Sequence, residues 1–107
     1  MAIWEDFIDS IVDPAGRLAK AELKGLIRDF RKDRSAFLAR QGRKMQRCIT
    51  QLAKGEITPA EFRSYIEDIR DLTEMEKVRM SVAGKARAQR LIEGITDLVI
   101  NGLLRLI

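Results

Sequence analysis

Apolar residues recur at intervals of three and four along most of the chain, which is the spacing of helices with one buried face. The clearest interruption lies in residues 52–62. Gly55 has the character of a helix C-terminal residue, Thr58 precedes a proline as an N-cap would, and Glu61 is placed to complete a capping box. We therefore expect a tight turn at residues 55–58 between two helices.

The N-terminal stretch predicts a short amphipathic helix over residues 2–12. Its apolar residues share one helical face, and its acidic residues take the other. A helix of this length is marginal in isolation, so it should dock on the rest of the chain. The residues of the apolar face are Ile3, Trp4, Phe7, Ile8 and Ile11.

Two long helices are predicted on either side of the turn. At 1.5 Å per residue, a helix over residues 14–54 would be roughly 60 Å long and one over residues 59–107 roughly 70 Å. Two helices joined by a four-residue turn must lie antiparallel, so the pattern predicts an all-α fold in which a long, coiled-coil-like hairpin follows the short helix. The hairpin and the short helix form one domain spanning residues 1–107. Glycine costs about 1 kcal/mol relative to alanine inside a helix, and a kink near Gly42 is the alternative to a straight first arm. In the second arm, Tyr65 and Leu72 belong to the apolar pattern.

The residues available for catalysis are few. The 107 residues include one cysteine and no histidine, which leaves no disulfide and no Cys/His zinc site within one chain. Cys48 falls inside the apolar pattern and is expected in the core. Gly84-Lys85 lacks the upstream glycine and the following hydroxyl residue of a phosphate-binding loop. We therefore expect a protein that is not an enzyme, with no cofactor, metal or small-molecule substrate.

Positive charge is in modest excess, with 20 lysines and arginines against 16 acids. Residues 40–47 contain four bases and no acid, and residues 61–76 contain six acids, so salt bridges between the two runs are expected beside the turn. The remaining excess falls on residues 17–34 and 77–90, which the hairpin would make neighbours. This basic belt consists of Arg28, Arg31, Lys32, Lys85 and Arg90. It is either a solvated surface or a contact for a phosphate-bearing or acidic partner, and the lack of interleaved aromatic residues weakens a single-stranded nucleic-acid site.

An interior polar layer is predicted where the apolar pattern contains polar residues. Its members are Arg34, Gln41, Thr73 and Glu76. Such a layer would specify register or oligomeric state at some cost in stability. The alternative is that Arg34 extends outward along its aliphatic stem.

The last ten residues are apolar on opposite faces, and the hairpin would bring both chain ends to one pole. Apolar surface left uncovered there is expected to be an interface. The residues predicted at this apolar pole are Trp4, Phe7, Ile100, Leu103, Leu104, Leu106 and Ile107. Self-association, most simply as an isologous dimer, would bury them between protomers; membrane binding would bury them in lipid, with the basic belt near anionic headgroups.

The sequence therefore predicts a non-enzymatic helical scaffold or adaptor that forms a homo-oligomer through its apolar pole. Both a closed oligomer and a filament are compatible with this prediction. The alternative is a peripheral membrane-binding protein, and the third hypothesis is nucleic-acid binding through the basic belt. The acidic N-terminal stretch and the lack of an apolar run of about 18 residues predict a cytoplasmic location, at the inner face of a membrane if lipid is the partner.

Overall fold

Five α-helices form within residues 2–107, the part of the chain that the computed structural model describes, and no strand occurs among those residues. The all-α prediction is confirmed. The helices are α1 (Ile3–Ser10), α2 (Lys20–Arg31), α3 (Ala36–Ala53), α4 (Pro59–Lys77) and α5 (Val82–Gly94). A π-helical segment, Ile95–Ile100, follows α5 directly, and a short 3-10 helix, Leu103–Arg105, lies near the C-terminus.

The turn between α3 and α4 has the capping geometry that the sequence predicts. Gly55 has a φ of +70°, in the left-handed region that glycine adopts readily. The Glu61 amide donates to Thr58 Oγ1 at 3.1 Å, and the Thr58 amide donates to Glu61 Oε1 at 3.0 Å. These two bonds satisfy backbone donors that the start of α4 would otherwise leave free.

The single helix predicted over residues 14–54 is wrong, because residues 11–19 are not helical and a second break separates Arg31 from Ala36. Asp33 Oδ1 accepts a hydrogen bond from the Ser35 amide at 2.8 Å, and Ser35 Oγ accepts one from the Leu38 amide at 3.3 Å. This local network ends α2 and starts α3. No break occurs at Gly42, which lies within α3.

The single helix predicted over residues 59–107 is also wrong. It is interrupted after Lys77, and Ser81 Oγ accepts a hydrogen bond from the Gly84 amide at 3.2 Å to start α5. The predicted N-terminal helix, residues 2–12, is shortened to Ile3–Ser10. The molecule measures 39 × 27 × 25 Å, so arms of roughly 60 and 70 Å are absent and the chain folds as a bundle of shorter helices.

The loop over residues 11–19 is held closed by Asp13. Its Oδ2 accepts a hydrogen bond from the Leu18 amide at 2.6 Å, and this bond is the main reason why the pKa of the Asp13 carboxyl is lowered. Leu18 is buried, so the loop contributes a side chain to the core.

The core centres on α3, which packs against α1, α2 and α4, while α5 packs against α4 and α2. The largest fully buried side chains are Trp4, Phe30 and Phe62, one each from α1, α2 and α4. Cys48 on α3 is buried, as predicted. The inner face of α3 is therefore occupied by its neighbours, and its outer face is left to solvent.

Candidate interaction surface

Most of the predicted apolar pole is used by the chain itself. Trp4 and Leu103 are fully buried, so both belong to the core of the single chain. Four other members, Phe7, Ile100, Leu104 and Leu106, are half-buried and pack against that core. Ile107 alone of the predicted set is exposed.

The pole is covered because the chain ends do not have the predicted geometry. The π-helical segment changes the spacing of side chains after α5, so faces assigned from a period of 3.6 residues are displaced. A Cβ added at Gly102 would lie 3.1 Å from Leu18 Cδ1, which places the loop over residues 11–19 against the C-terminal segment. A two-helix hairpin has no equivalent of this loop.

Three members of the basic belt have partners within the molecule. Arg28 pairs with Glu5 at 2.8 Å, which lowers the pKa of the glutamate and raises that of the arginine. Arg90 pairs with Asp29 at 2.9 Å. Arg31 donates to Gln46 Oε1 at 2.6 Å, and its guanidinium lies 5.8 Å from the Trp4 ring centroid. Lys32 and Lys85 are exposed and have no ion pair in the described residues.

The predicted four-residue polar layer does not form. Gln41 and Thr73 are fully buried, but Arg34 is exposed and Glu76 pairs with Arg79 at 3.6 Å. The two buried side chains bond to carbonyls of their own helices, Gln41 Nε2 to Phe37 O at 3.3 Å and Thr73 Oγ1 to Ile69 O at 2.7 Å. Neither bond links α3 to α4, and Gln41 Oε1 is buried without a hydrogen-bond partner in the described residues.

An exposed apolar strip lies on α4, where the sequence pattern predicted core residues. Its members are Tyr65, Leu72 and Met75, which are 43%, 37% and 70% exposed. Intervals of seven and three residues place them on one side of the helix, over roughly 15 Å of its length. Val78 and Val82, beyond the end of α4, are also exposed. Sequence periodicity could not identify this strip, because two of its members have the spacing of buried residues.

A groove of about 390 Å³ separates the apolar strip from α3. Lys44 and Arg47 line it on α3, and Tyr65, Asp68 and Leu72 line it on α4. The buried side chains Cys48 and Ile69 line it as well. Burial raises the pKa of the Cys48 thiol, with a smaller opposite effect from Arg47 and Lys44, so the thiol stays protonated and is a poor nucleophile.

The outer face of α3 is a second unexpected feature. The salt bridges predicted between residues 40–47 and the acids of α4 are absent from the described residues. Instead, Glu67 lies 3.8 Å from Arg63 and 3.9 Å from Arg70, both on α4. We call the four α3 bases the basic strip: Arg40, Arg43, Lys44 and Arg47. None of them has a carboxylate within 4 Å in the described part of the chain, and α3 itself contains no acidic residue.

The geometry thus brings together an apolar strip, a groove and a basic strip, all on α3 and α4. Among residues 2–107 no cluster of three potential metal ligands occurs. No helix in the same residues is long and apolar enough to cross a membrane. Comparison of the chain with protein-family models, curated proteins and solved structures finds no match.

Proposed function

We propose that the protein is a non-enzymatic helical scaffold or adaptor that assembles with copies of itself, and that it does so through the α3–α4 face. The observation that carries this proposal is the apolar strip, three large side chains exposed on one side of α4. Exposed apolar residues that are scattered singly need no explanation, but three large ones on one side of a helix favour an interaction surface. Burial of these side chains between protomers would favour association, opposed by the translational and side-chain freedom lost on binding.

The surroundings of the strip resemble an interface in their layout. Well-packed interfaces have an apolar centre, in which tyrosine and methionine are enriched, and a polar rim. Tyr65, Leu72 and Met75 supply the apolar side chains, with Asp68 among them, and Lys44 and Arg47 lie at the edge on α3. The predicted pole has no comparable exposed centre, because Trp4 and Leu103 are buried in the monomer.

Light scattering coupled to size exclusion tests the proposal. The wild-type protein should have a mass above that of one 12.2 kDa chain, decreasing on dilution. Leu72→Asp should lower the mass at a given concentration, because it places a charge in the contact. The control is Val12→Asp, which also replaces an exposed apolar side chain by aspartate. Val12 is 78% exposed and lies in the loop over residues 11–19. A monomeric wild type, or an equal effect of Val12→Asp, would refute the proposal.

Nucleic-acid binding is a second candidate, now supported by the unpaired basic strip and no longer by the basic belt. Asp68 of α4 lines the same groove, and its negative charge would repel a nucleic acid. A short DNA duplex added at low salt to the same light-scattering run separates the two functions. Nucleic-acid binding requires a complex that dissociates as salt rises, whereas assembly requires the mass of the protein alone to exceed one chain. Membrane-surface binding has less support, because Trp4, its expected interfacial anchor, is buried.

A further inference from the structure

The groove between α3 and α4 is lined by Tyr65, Asp68 and Leu72 on one wall and by Lys44 and Arg47 on the other. An occupant with both apolar and acidic side chains would complement these walls. We propose that this occupant is α4 of a second copy, lying antiparallel to the first, so that the chain forms a closed twofold dimer. The inference rests on the proposed self-assembly and adds its partner element, its orientation and its stoichiometry.

The α4 helix has the chemistry that the groove requires. Asp68 lies three residues after Tyr65 and four before Leu72, so it shares their side of the helix. Asp71, four residues before Met75, borders the other end of the apolar strip. Both carboxylates are exposed, and Asp68 has no ion pair in the described residues. Asp71 has only a 3.7 Å contact to its neighbour Arg70.

The basic strip is the complement of these acids. Lys44 and Arg47 line the groove without a carboxylate within 4 Å in the described chain, although Asp68 lines the same groove. When α4 of a second copy enters the groove, its Asp68 and Asp71 approach the Lys44 and Arg47 of the first. A twofold rotation repeats the contact in the other direction, so one surface supplies both halves of each pairing.

The antiparallel orientation follows from the order of residues along α4. Centred between Tyr65 and Met75, an antiparallel pair places the Tyr65 ring opposite Met75 of the other copy, a favourable sulfur–aromatic combination. It also places Asp68 opposite Leu72. A parallel pair about a twofold axis would bring each Asp68 against its equivalent, where the like charges repel.

Closure at two copies is a consequence of this symmetry. In an isologous contact the same patch is used on both partners, so a dimer leaves no equivalent patch free for a third chain. A head-to-tail contact between different patches would leave one patch free at each end and would permit filaments. The orientation therefore predicts a concentration-dependent mass that rises to two chains and no further.

A reciprocal charge exchange tests the arrangement. One variant combines Lys44→Glu with Arg47→Glu, and the other combines Asp68→Lys with Asp71→Lys. Each alone places like charges in both halves of the contact, so each should be monomeric at a concentration where the wild type is dimeric. Mixed in equal amounts, the two variants restore opposite charges in both halves, and the mass should double from one chain to two.

The control is a charge reversal of the same size at exposed lysines outside the groove, Lys32→Glu with Lys85→Glu, which should leave the mass of the wild type unchanged. If the wild type associates through Leu72 but the mixed variants stay monomeric, this inference is refuted and the proposed function stands. If the wild type is monomeric, both are refuted. A mixture that forms species larger than two chains would refute the closed dimer.

Discussion

Alanine substitutions at two helical glycines, Gly25 and Gly42, should change the stability of the protein in opposite directions. Gly25 lies in α2, and a Cβ added there would meet no atom within 4 Å. Gly42 lies in α3, and a Cβ added there would lie 2.5 Å from the Arg31 amide nitrogen and 2.7 Å from the Phe30 carbonyl carbon. Both of those atoms belong to the backbone of α2, so Gly42 allows the two helices to cross at close range.

The expected magnitudes follow from two opposing effects. Alanine is favoured over glycine inside a helix by about 1 kcal/mol, and at Gly25 nothing opposes this gain. At Gly42 the same gain is opposed by overpacking, which typically costs about 1–3 kcal/mol. The cost should fall near the upper end of that range, because backbone atoms cannot rotate out of the way as a side chain can. We expect Gly25→Ala to stabilise the fold by up to about 1 kcal/mol and Gly42→Ala to destabilise it by roughly 1–2 kcal/mol.

Urea unfolding followed by circular dichroism measures the difference. With a slope of about 1–1.5 kcal/mol per M urea for a chain of this size, the midpoints of the two variants should differ by roughly 2 M. All samples are compared at one protein concentration, since self-association would make the midpoint depend on it. If Gly42→Ala unfolds at or above the wild-type midpoint, the close crossing of α2 and α3 is refuted.

Two further predictions concern carboxylates. The Asp33 side chain is 8% exposed and accepts hydrogen bonds from Arg87 Nε at 2.9 Å and from the Ser35 amide, so Asp33→Ala should cost about 1–3 kcal/mol in urea unfolding. Asp29→Ala, which removes the exposed pair with Arg90, should cost less than about 1 kcal/mol. Equal costs for Asp33→Ala and Asp29→Ala would contradict the structural role of Asp33. The lowered pKa of Asp13 stabilises the fold above the carboxyl's ordinary pKa of 3.8, and this contribution is lost as pH falls through the lowered value. The urea midpoint of the wild type should therefore fall more steeply with acidification than that of Asp13→Asn, and parallel profiles would contradict the role of the charge.

The turn between α3 and α4 could be predicted in detail because its signals are local. The capping box at Thr58 and Glu61 depends on residues three positions apart, and no distant contact is needed to form it. The breaks that start α3 and α5 also have local signals, since Ser35 and Ser81 are N-cap residues. The prediction of two long helices followed the apolar periodicity alone, which continues across both breaks.

The candidate surface could not be predicted because it depends on which helices cover α4. Tyr65 and Leu72 have the spacing of core residues, and they are exposed because no helix of residues 2–107 covers that side of α4. Charge runs were similarly misleading. The acids of α4 were expected to neutralise the basic strip, but Glu67 lies within 4 Å of Arg63 and Arg70 on its own helix. Side-chain pairing within a helix competes directly with pairing between helices, and a sum of charges along the sequence does not distinguish the two.

The two faces of α3 have separate roles, and this separation makes the proposed assembly testable. Leu38, Met45 and Ile49 are fully buried on its inner face, where α1, α2 and α4 cover the helix. The bases of its outer face make no ion pairs in the described residues, so their replacement should change the free energy of unfolding by no more than about 0.5 kcal/mol. Reversing Lys44 and Arg47 should therefore abolish association while leaving the fold of the monomer intact. If the same reversal unfolded the protein, the basic strip would be required for folding of the monomer, and its proposed intermolecular role would be refuted.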